Sequence, residues 1–265
     1  MTSPGPAADL ASEPAPAGMA DRIFSIVEIC AGAGRPLGLA ELAAETGLPK
    51  SSLHRICAQL VRLGALDADG AGYEVGTHLF ALGSLNPRLR RLRVVAMPYL
   101  HELVARSGWV ANLSVLRDGR ALLVDEVFGP RPTMPKLIGA TLPLHATALG
   151  KALIAGQDPA HAEELIATLP LRRFTTRTVA TREALRAQVA AIVAGEPAVS
   201  REEWRLGTVA VAAPVRAGGE TVAALALIGG RGERGIERVR GPVLAAARDL
   251  GAALEVAPGG VREAA

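Results

Sequence analysis

The spacing of apolar residues changes character at Gly108, and that change limits the fold of this chain more than any other feature. Up to that point apolar positions recur at helical intervals, interrupted by one short hairpin. Beyond it, runs that read as strands are interleaved with helices. Two units are therefore expected, and 265 residues suit two domains of roughly 100–200 residues each. Apolar residues make up 49% of the chain and charged residues 21%, so a sizeable core is available and wholesale disorder is excluded.

Residues 1–18 hold four prolines, two glycines and five alanines without periodicity, which predicts a disordered tail. A helix with a broad apolar face follows from about Ala20, through Ile23, Phe24, Ile26, Val27, Ile29 and Cys30, and stops at Gly32 and Gly34. A second, short helix spans about Leu39 to Thr46, with Gly47 placed to end it. A third runs from about Lys50 to Leu63, its apolar stripe being Leu53, Ile56, Cys57, Leu60 and Leu63. Ala65-Leu66, a turn over Asp67 to Gly72, and Tyr73 to Val75 then read as a hairpin.

A basic helix occupies residues 86–108. After it, strands are expected over Val110 to Leu116, Ala121 to Val127, Val209 to Val215 and Thr221 to Ile228. Helices are expected over Thr147 to Ala155, Ala160 to Thr168 and Arg182 to Ala194. A last helix buries Ile236, Val239, Val243, Leu244, Ala247, Leu250 and Leu254. The fold class is α+β.

Two short helices, a longer third one and a hairpin form a winged helix-turn-helix pattern. The third helix must bury one face and can offer the other to the major groove of DNA, which admits one helix. Its outward residues are Lys50, Ser51, Ser52, His54, Arg55, Gln59 and Arg62, all able to donate hydrogen bonds. No acid lies between Lys50 and Leu66, whereas a merely solvated face mixes signs. The whole of residues 1–86 is nonetheless acidic, with five Lys or Arg against nine Asp or Glu. Any affinity for DNA must therefore come from local charge. Arg88, Arg90, Arg91 and Arg93 can supply phosphate contacts or simply a solvated linker face.

The motifs also resemble a known family. Arg22-Ile23-Phe24 to Ile29, Leu39 to Ala43, Gly47 to Arg55, and Gly72 to Gly76 are similar to the N-terminal domain of IclR-family bacterial transcription regulators. So are Pro143 to Leu153, Phe174 to Thr178, Arg201-Glu202-Glu203 with Gly207, and Val211 to Arg216 further along. The resemblance spans residues 20 to about 255 in the family's order. It implies a winged helix-turn-helix DNA-binding domain over 19–85, a linker helix over 86–108 used in dimerisation, and a GAF-like effector-binding domain over 109–257. A disordered tail is expected over 258–265. It further implies double-stranded operator DNA and a small-molecule effector as partners, and self-association as a homodimer or a dimer of dimers.

In the family the effector lies against the sheet, beneath the start of the helix that follows the Leu-His-Ala-Thr segment. The resemblance carries that place here to Thr147, which can cap the helix, and to the N–H groups of Ala148, Leu149 and Gly150, which can hold a carboxylate. The facing wall falls on Ser200, Ala210, Ala226 and Ile228, with Met134, Leu142 and Leu144 as further lining. Acid-binding relatives have polar groups on that wall and this chain has few. An apolar or aromatic acid-like effector is therefore expected.

Enzyme readings fare poorly. Leu149-Gly150-Lys151 resembles the end of a phosphate-binding loop, but His145 and Ala152 stand where glycine and a hydroxyl are required. Gly230 to Gly235 matches a dinucleotide fingerprint, yet too little chain follows for a Rossmann half, so a glycine-rich turn is expected. Cys30 and Cys57 sit on apolar faces, and the five histidines show no ligand spacing. His145 reads either as a pocket neighbour or as a structural hydrogen-bonding residue. Glu202 and Glu203, if on a strand, would point to opposite faces. No catalytic residue, cofactor or metal is expected. An enzyme with an accessory DNA-binding domain is the alternative, and a protein interaction module a weaker third. Two cysteines, no basic start to a leader, and no apolar run of ~18 residues predict a cytoplasmic protein without a membrane span.

Overall fold

The computed structural model describes residues 18–129, 138–230 and 233–256. The expected terminal tails, Met134, and Arg231-Gly232 of the glycine-rich turn lie outside the described residues. The chain divides into two compact units, 1–87 and 88–265.

The first unit holds α1 (Met19–Ala33), α2 (Leu39–Thr46) and α3 (Lys50–Arg62), then the hairpin β1 (Leu66–Asp69) and β2 (Gly72–Val75), then α4 (Thr77–Ser84). Local chemistry sets the helix ends. The Asp21 carboxylate accepts from the Gly18 N–H at 2.9 Å, and Glu41 does the same for Gly38 at 2.9 Å, each placing an acid at the positive end of its helix. Arg35 closes on Glu41 and holds its carboxyl down to about 2. Gly34 and Gly47 end α1 and α2 at φ 63° and 67°.

Ile26, Cys30, Leu37, Leu42, Leu53, Ile56, Cys57, Leu60 and Leu66 form the core of this unit. Leu63, expected in the stripe of the third helix, is instead 63% exposed. At ~100° per residue, ten positions beyond Leu53 fall roughly 80° off the stripe. The hairpin is also longer than expected: Leu66 to Asp69 pair with Val75 to Gly72, leaving only Gly70-Ala71 as the turn. Asp67 and Asp69 face solvent, so their polarity does not oppose strand formation. Tyr73 exchanges two 2.9 Å hydrogen bonds with Leu37. That approach demands glycine at Gly72, where a Cβ would meet Leu37 O at 2.4 Å. Helix α4 was not expected. It buries no residue, and Phe80, Leu82 and Leu85 around it are largely exposed.

The second unit opens with α5 (Pro87–Ser107). Its order continues β3 (Val110–Arg117), β4 (Arg120–Val127), β5 (Thr141–Pro143), α6 (Ala148–Ala155), α7 (Pro159–Thr168), α8 (Arg182–Val193), β6 (Ala198–Arg201), β7 (Thr208–Ala217), β8 (Glu220–Gly230) and α9 (Glu233–Val256). The short strands β5 and β6 were not expected. The six strands form one antiparallel sheet in the order β5-β4-β3-β8-β7-β6.

Side-chain alternation gives the sheet two different faces. Leu113, Val209, Val211, Val215, Leu225 and Leu227 meet α5 and α9. On the other face Ala198, Ala210, Ala212, Ala224 and Ala226 meet α6, α7 and α8. The small residues let α6 approach closely. Gly150 and Gly156 help: a Cβ on Gly150 would stand 2.3 Å from Leu144 Cα, and one on Gly156 2.3 Å from Thr221 Oγ1.

The basic helix, read from sequence as a linker, shares this unit's core through Leu92, Ala96, Leu100, Leu103 and Val104. Arg91 donates to Leu254 O, and Arg93 pairs with Asp125 at 3.0 Å. Those two arginines are thus engaged within the unit, whereas Arg88 and Arg90 remain exposed. Trp109 packs where Gly229 and Gly235 leave room: a Cβ on either would come within 2.2 Å and 2.7 Å of its ring. Gly235, the last glycine of the dinucleotide-like run, therefore serves packing.

Burying three leucines and a valine from α5 is worth roughly 1.5–3 kcal/mol each, comparable to the ~5–15 kcal/mol that stabilises a whole domain. Residues 88–256 should therefore melt cooperatively as an isolated fragment, while a fragment starting at 107 should be molten or insoluble. Near-UV circular dichroism on heating distinguishes them.

Candidate functional site

In α3 the four buried residues Leu53, Ile56, Cys57 and Leu60 turn Lys50, Ser51, His54, Arg55, Gln59 and Arg62 outward, with Ser52 half-buried. No ion pair among the described residues engages Lys50, Arg55 or Arg62. The helix begins at Pro49 with no side chain capping it, so its first backbone N–H groups stay open at the positive end of the dipole. Such an end accepts a phosphate oxygen, and the basic side chains beside it suit a DNA backbone.

The second unit contains a small pocket between the alanine face of the sheet and the start of α6. Of the residues expected there, Thr147, Ala148, Leu149, Ser200, Ala210, Ala226 and Ile228 line it, as does Leu142. Leu144 instead lies fully buried in the core beneath α6, and Gly150 is absent from the wall.

Thr147 caps α6 as expected, its Oγ1 accepting from Gly150 N at 3.1 Å and donating to Pro143 O at 2.8 Å. That bond occupies the Gly150 N–H, so only Ala148 and Leu149 keep first-turn N–H groups for a ligand. Sequence reasoning missed Asn112, Trp204, Arg205 and Thr208 in the wall. Asn112 lies on a strand whose neighbours are apolar, and an amide in such a run was the available signal.

A buried ion pair holds this wall in place. Lys151 is wholly buried, and its Nζ donates to Gln188 Oε1 at 2.8 Å, Val199 O at 2.8 Å and Glu203 Oε1 at 2.7 Å. Burial lowers the lysine pKa, and Glu203 opposes that shift. Glu202 and Glu203 are not on a strand: β6 ends at Arg201, and Glu202 takes φ 59° in the turn that follows. They diverge all the same. Glu202 accepts from Gly207 N at 2.7 Å and pairs with Arg177 at 2.9 Å. Thr175 and Thr178 donate to the Glu202 and Glu203 carbonyls at 2.7 and 2.6 Å. His145 is a buried structural residue whose Nε2–H donates to Arg172 O at 2.9 Å, and burial lowers its pKa.

A winged helix-turn-helix in one unit and a largely apolar pocket beside a helix start in an α+β unit are the features of a ligand-responsive DNA-binding regulator. Residues 19–70 match the IclR helix-turn-helix domain, and residues 88–254 match the bacterial transcriptional regulator IclR C-terminal domain. The protein belongs to the IclR family of transcription regulators and is not an enzyme.

Among its relatives, the glycerol operon regulatory protein of Streptomyces coelicolor is 34% identical over 198 residues, covering 74% of this chain and 77% of the relative. The transcriptional repressor IclR of Escherichia coli is 29% identical, with 72% of each chain covered. An IclR homolog from Microbacterium hydrocarbonoxydans, solved with 4-hydroxybenzoate, shares the fold at a TM-score of 0.76 and 24% identity, over 88% of this chain and 97% of that one. Among the described residues no helix is long and apolar enough to cross a membrane.

The ion pair can be tested directly. Lys151→Met leaves Glu203 buried without its counter-ion and should cost about 3–5 kcal/mol, whereas Lys151→Met with Glu203→Leu should recover much of that loss. Urea unfolding of residues 88–256 measures both. Equal losses from the single and double variants would show that the pair itself is not what holds the turn.

Proposed function

We propose that this regulator reads operator DNA with α3 as a dimer or dimer of dimers in the cytoplasm, and that its effector is a small acid with an apolar or aromatic body. The observation that carries the DNA reading is the acid-free outer face of α3, with three basic side chains and an open helix start. The exposed Phe80, Leu82 and Leu85 around α4 support self-association, because a second copy would remove them from water. Two copies also present two recognition helices, as a palindromic operator requires.

Arg55→Ala should weaken binding to the DNA flanking the gene by about 1–3 kcal/mol, roughly 5- to 150-fold, without lowering the melting temperature. Phe80→Glu should shift the protein toward monomer in sedimentation and weaken the same DNA complex. A gel shift at ~150 mM salt with no preference over random duplex would sink the DNA reading.

For the effector, the apolar walls decide. Leu142, Leu149, Val209, Ala210, Ala226 and Ile228 line the pocket with apolar surface. The N–H groups of Ala148 and Leu149 offer one place for a carboxylate without a charged side chain. Beyond Asn112, Thr147, Ser200, Arg205 and Thr208 the wall is largely apolar, so a polyhydroxylated acid would leave hydroxyls unpaired at ~1–3 kcal/mol each. Aromatic or aliphatic monoacids, or lactones, should therefore raise the melting temperature more than pyruvate or glyoxylate. Ile228→Ser should weaken the former. Stabilisation by only the smallest keto or hydroxy acids in a thermal-shift panel contradicts this reading of the pocket and leaves the regulator assignment intact.

A further inference from the structure

Asn112 sits near the middle of the sheet, on β3, paired with Ala226 of β8. It is 1% exposed and lines the pocket. Its Oδ1 is buried with no hydrogen-bond partner. Two other buried side-chain oxygens among the described residues share that condition, Ser114 Oγ and Thr221 Oγ1, and neither is part of this pocket's wall. An unsatisfied buried carbonyl is costly, and native structures hold few of them. On the same face its strand partners are Ala226, which has no side-chain donor, and Glu126, while Ser114 lies two residues along β3; none of them donates to Asn112 Oδ1. A donor held in the pocket that Asn112 lines would satisfy it.

We propose that the effector carries a hydrogen-bond donor on its apolar body, most simply a ring hydroxyl, which Asn112 Oδ1 accepts. The inference rests on the acid-pocket reading above and narrows it from plain monoacids to hydroxylated aromatic monoacids. The two polar demands come from different walls. The α6 start presents N–H donors and takes the carboxylate. The sheet presents Asn112 Oδ1, an acceptor without a partner, which repels a second carboxylate and gains nothing from an ether or a halogen. A phenolic hydroxyl stays protonated at neutral pH and can donate. Leu149, Val209, Ala210, Ala226 and Ile228 supply the apolar surface that a ring requires.

The test uses the full-length protein and isothermal titration with benzoate, the 3- and 4-hydroxybenzoates, and the matching methoxybenzoates. Trp204 lies in the pocket wall, so quenching of its fluorescence gives a second readout. One hydroxybenzoate should bind about 10-fold or more tighter than both benzoate and its own methoxy ether, since the ether keeps the oxygen and loses the donor. Asn112→Leu should bring the hydroxy-to-plain ratio to about one.

If hydroxy, methoxy and plain acids bind the wild-type protein alike, or if Asn112→Leu keeps the hydroxyl preference, the role of Asn112 is overturned and the acid pocket stands. If no acid of the panel binds, and none of the aliphatic monoacids does, the pocket reading falls and this inference with it. Should Asn112→Leu fail to fold, Asn112→Ala replaces it, and the wild-type panel alone still decides whether a donor is required.

Discussion

Lys151 is wholly buried, and three acceptors surround its charge: a carboxylate, an amide oxygen and a backbone carbonyl. Much of the second unit follows from that arrangement. The carboxylate belongs to Glu203, 52 residues along the chain, and its position depends on a turn that threonine hydroxyls and a left-handed Glu202 hold shut. That turn also presents Trp204 and Arg205 to the pocket. The segments around Lys151, Thr175 and Glu202, far apart in sequence, thus meet in one polar knot that ties α6 to the edge of the sheet. A buried pair of this kind adds little to stability relative to an apolar replacement, but losing one partner is expensive. It therefore serves to specify one arrangement of the turn.

The pocket itself is a consequence of size. Leucines and valines fill the space between the sheet and α5 and α9, whereas alanines pave the side that faces α6. Small residues bring α6 close along part of its length, with Gly150 and Gly156 allowing backbone contact. Near the start of the helix, Ala210 and Ala226 fail to fill the remaining volume, and a cavity opens beside the first N–H groups. A site that offers N–H donors on one wall and an unpartnered acceptor on another, with apolar surface between, selects ligands by where their polar groups lie.

In the first unit the opposite economy applies. The core is small, and each of its helices is positioned by local devices: acids at the starts of α1 and α2, glycines at their ends, and a hairpin anchored through Leu37. This leaves α3 free of capping and of ion pairs along its outer face among the described residues. Its charge is available for an external partner, which explains how a net acidic segment can still present a basic surface.

The stripe of α3, the glycine and acid signals at helix ends, and the strand pairs on either side of Gly119 and Gly218 were legible in the sequence because each depends on residues a few positions apart. So were the outward residues of α3 and most of the pocket wall, the latter through the family resemblance. Tertiary structure alone decided the rest. Periodicity states that Leu92, Leu100 and Leu103 are buried on one face but not against what, and their partners in the sheet and α9 make α5 part of a domain core. A lysine in an apolar helix signals that a counter-charge must exist without saying where. The alternation of alanine with valine and leucine was present in the chain, yet only the packed sheet showed which face received α6. Likewise, an asparagine on β3 acquires meaning only when none of its neighbours in the folded sheet donates to its Oδ1, because an unsatisfied acceptor is a property of surroundings that the local chain does not contain.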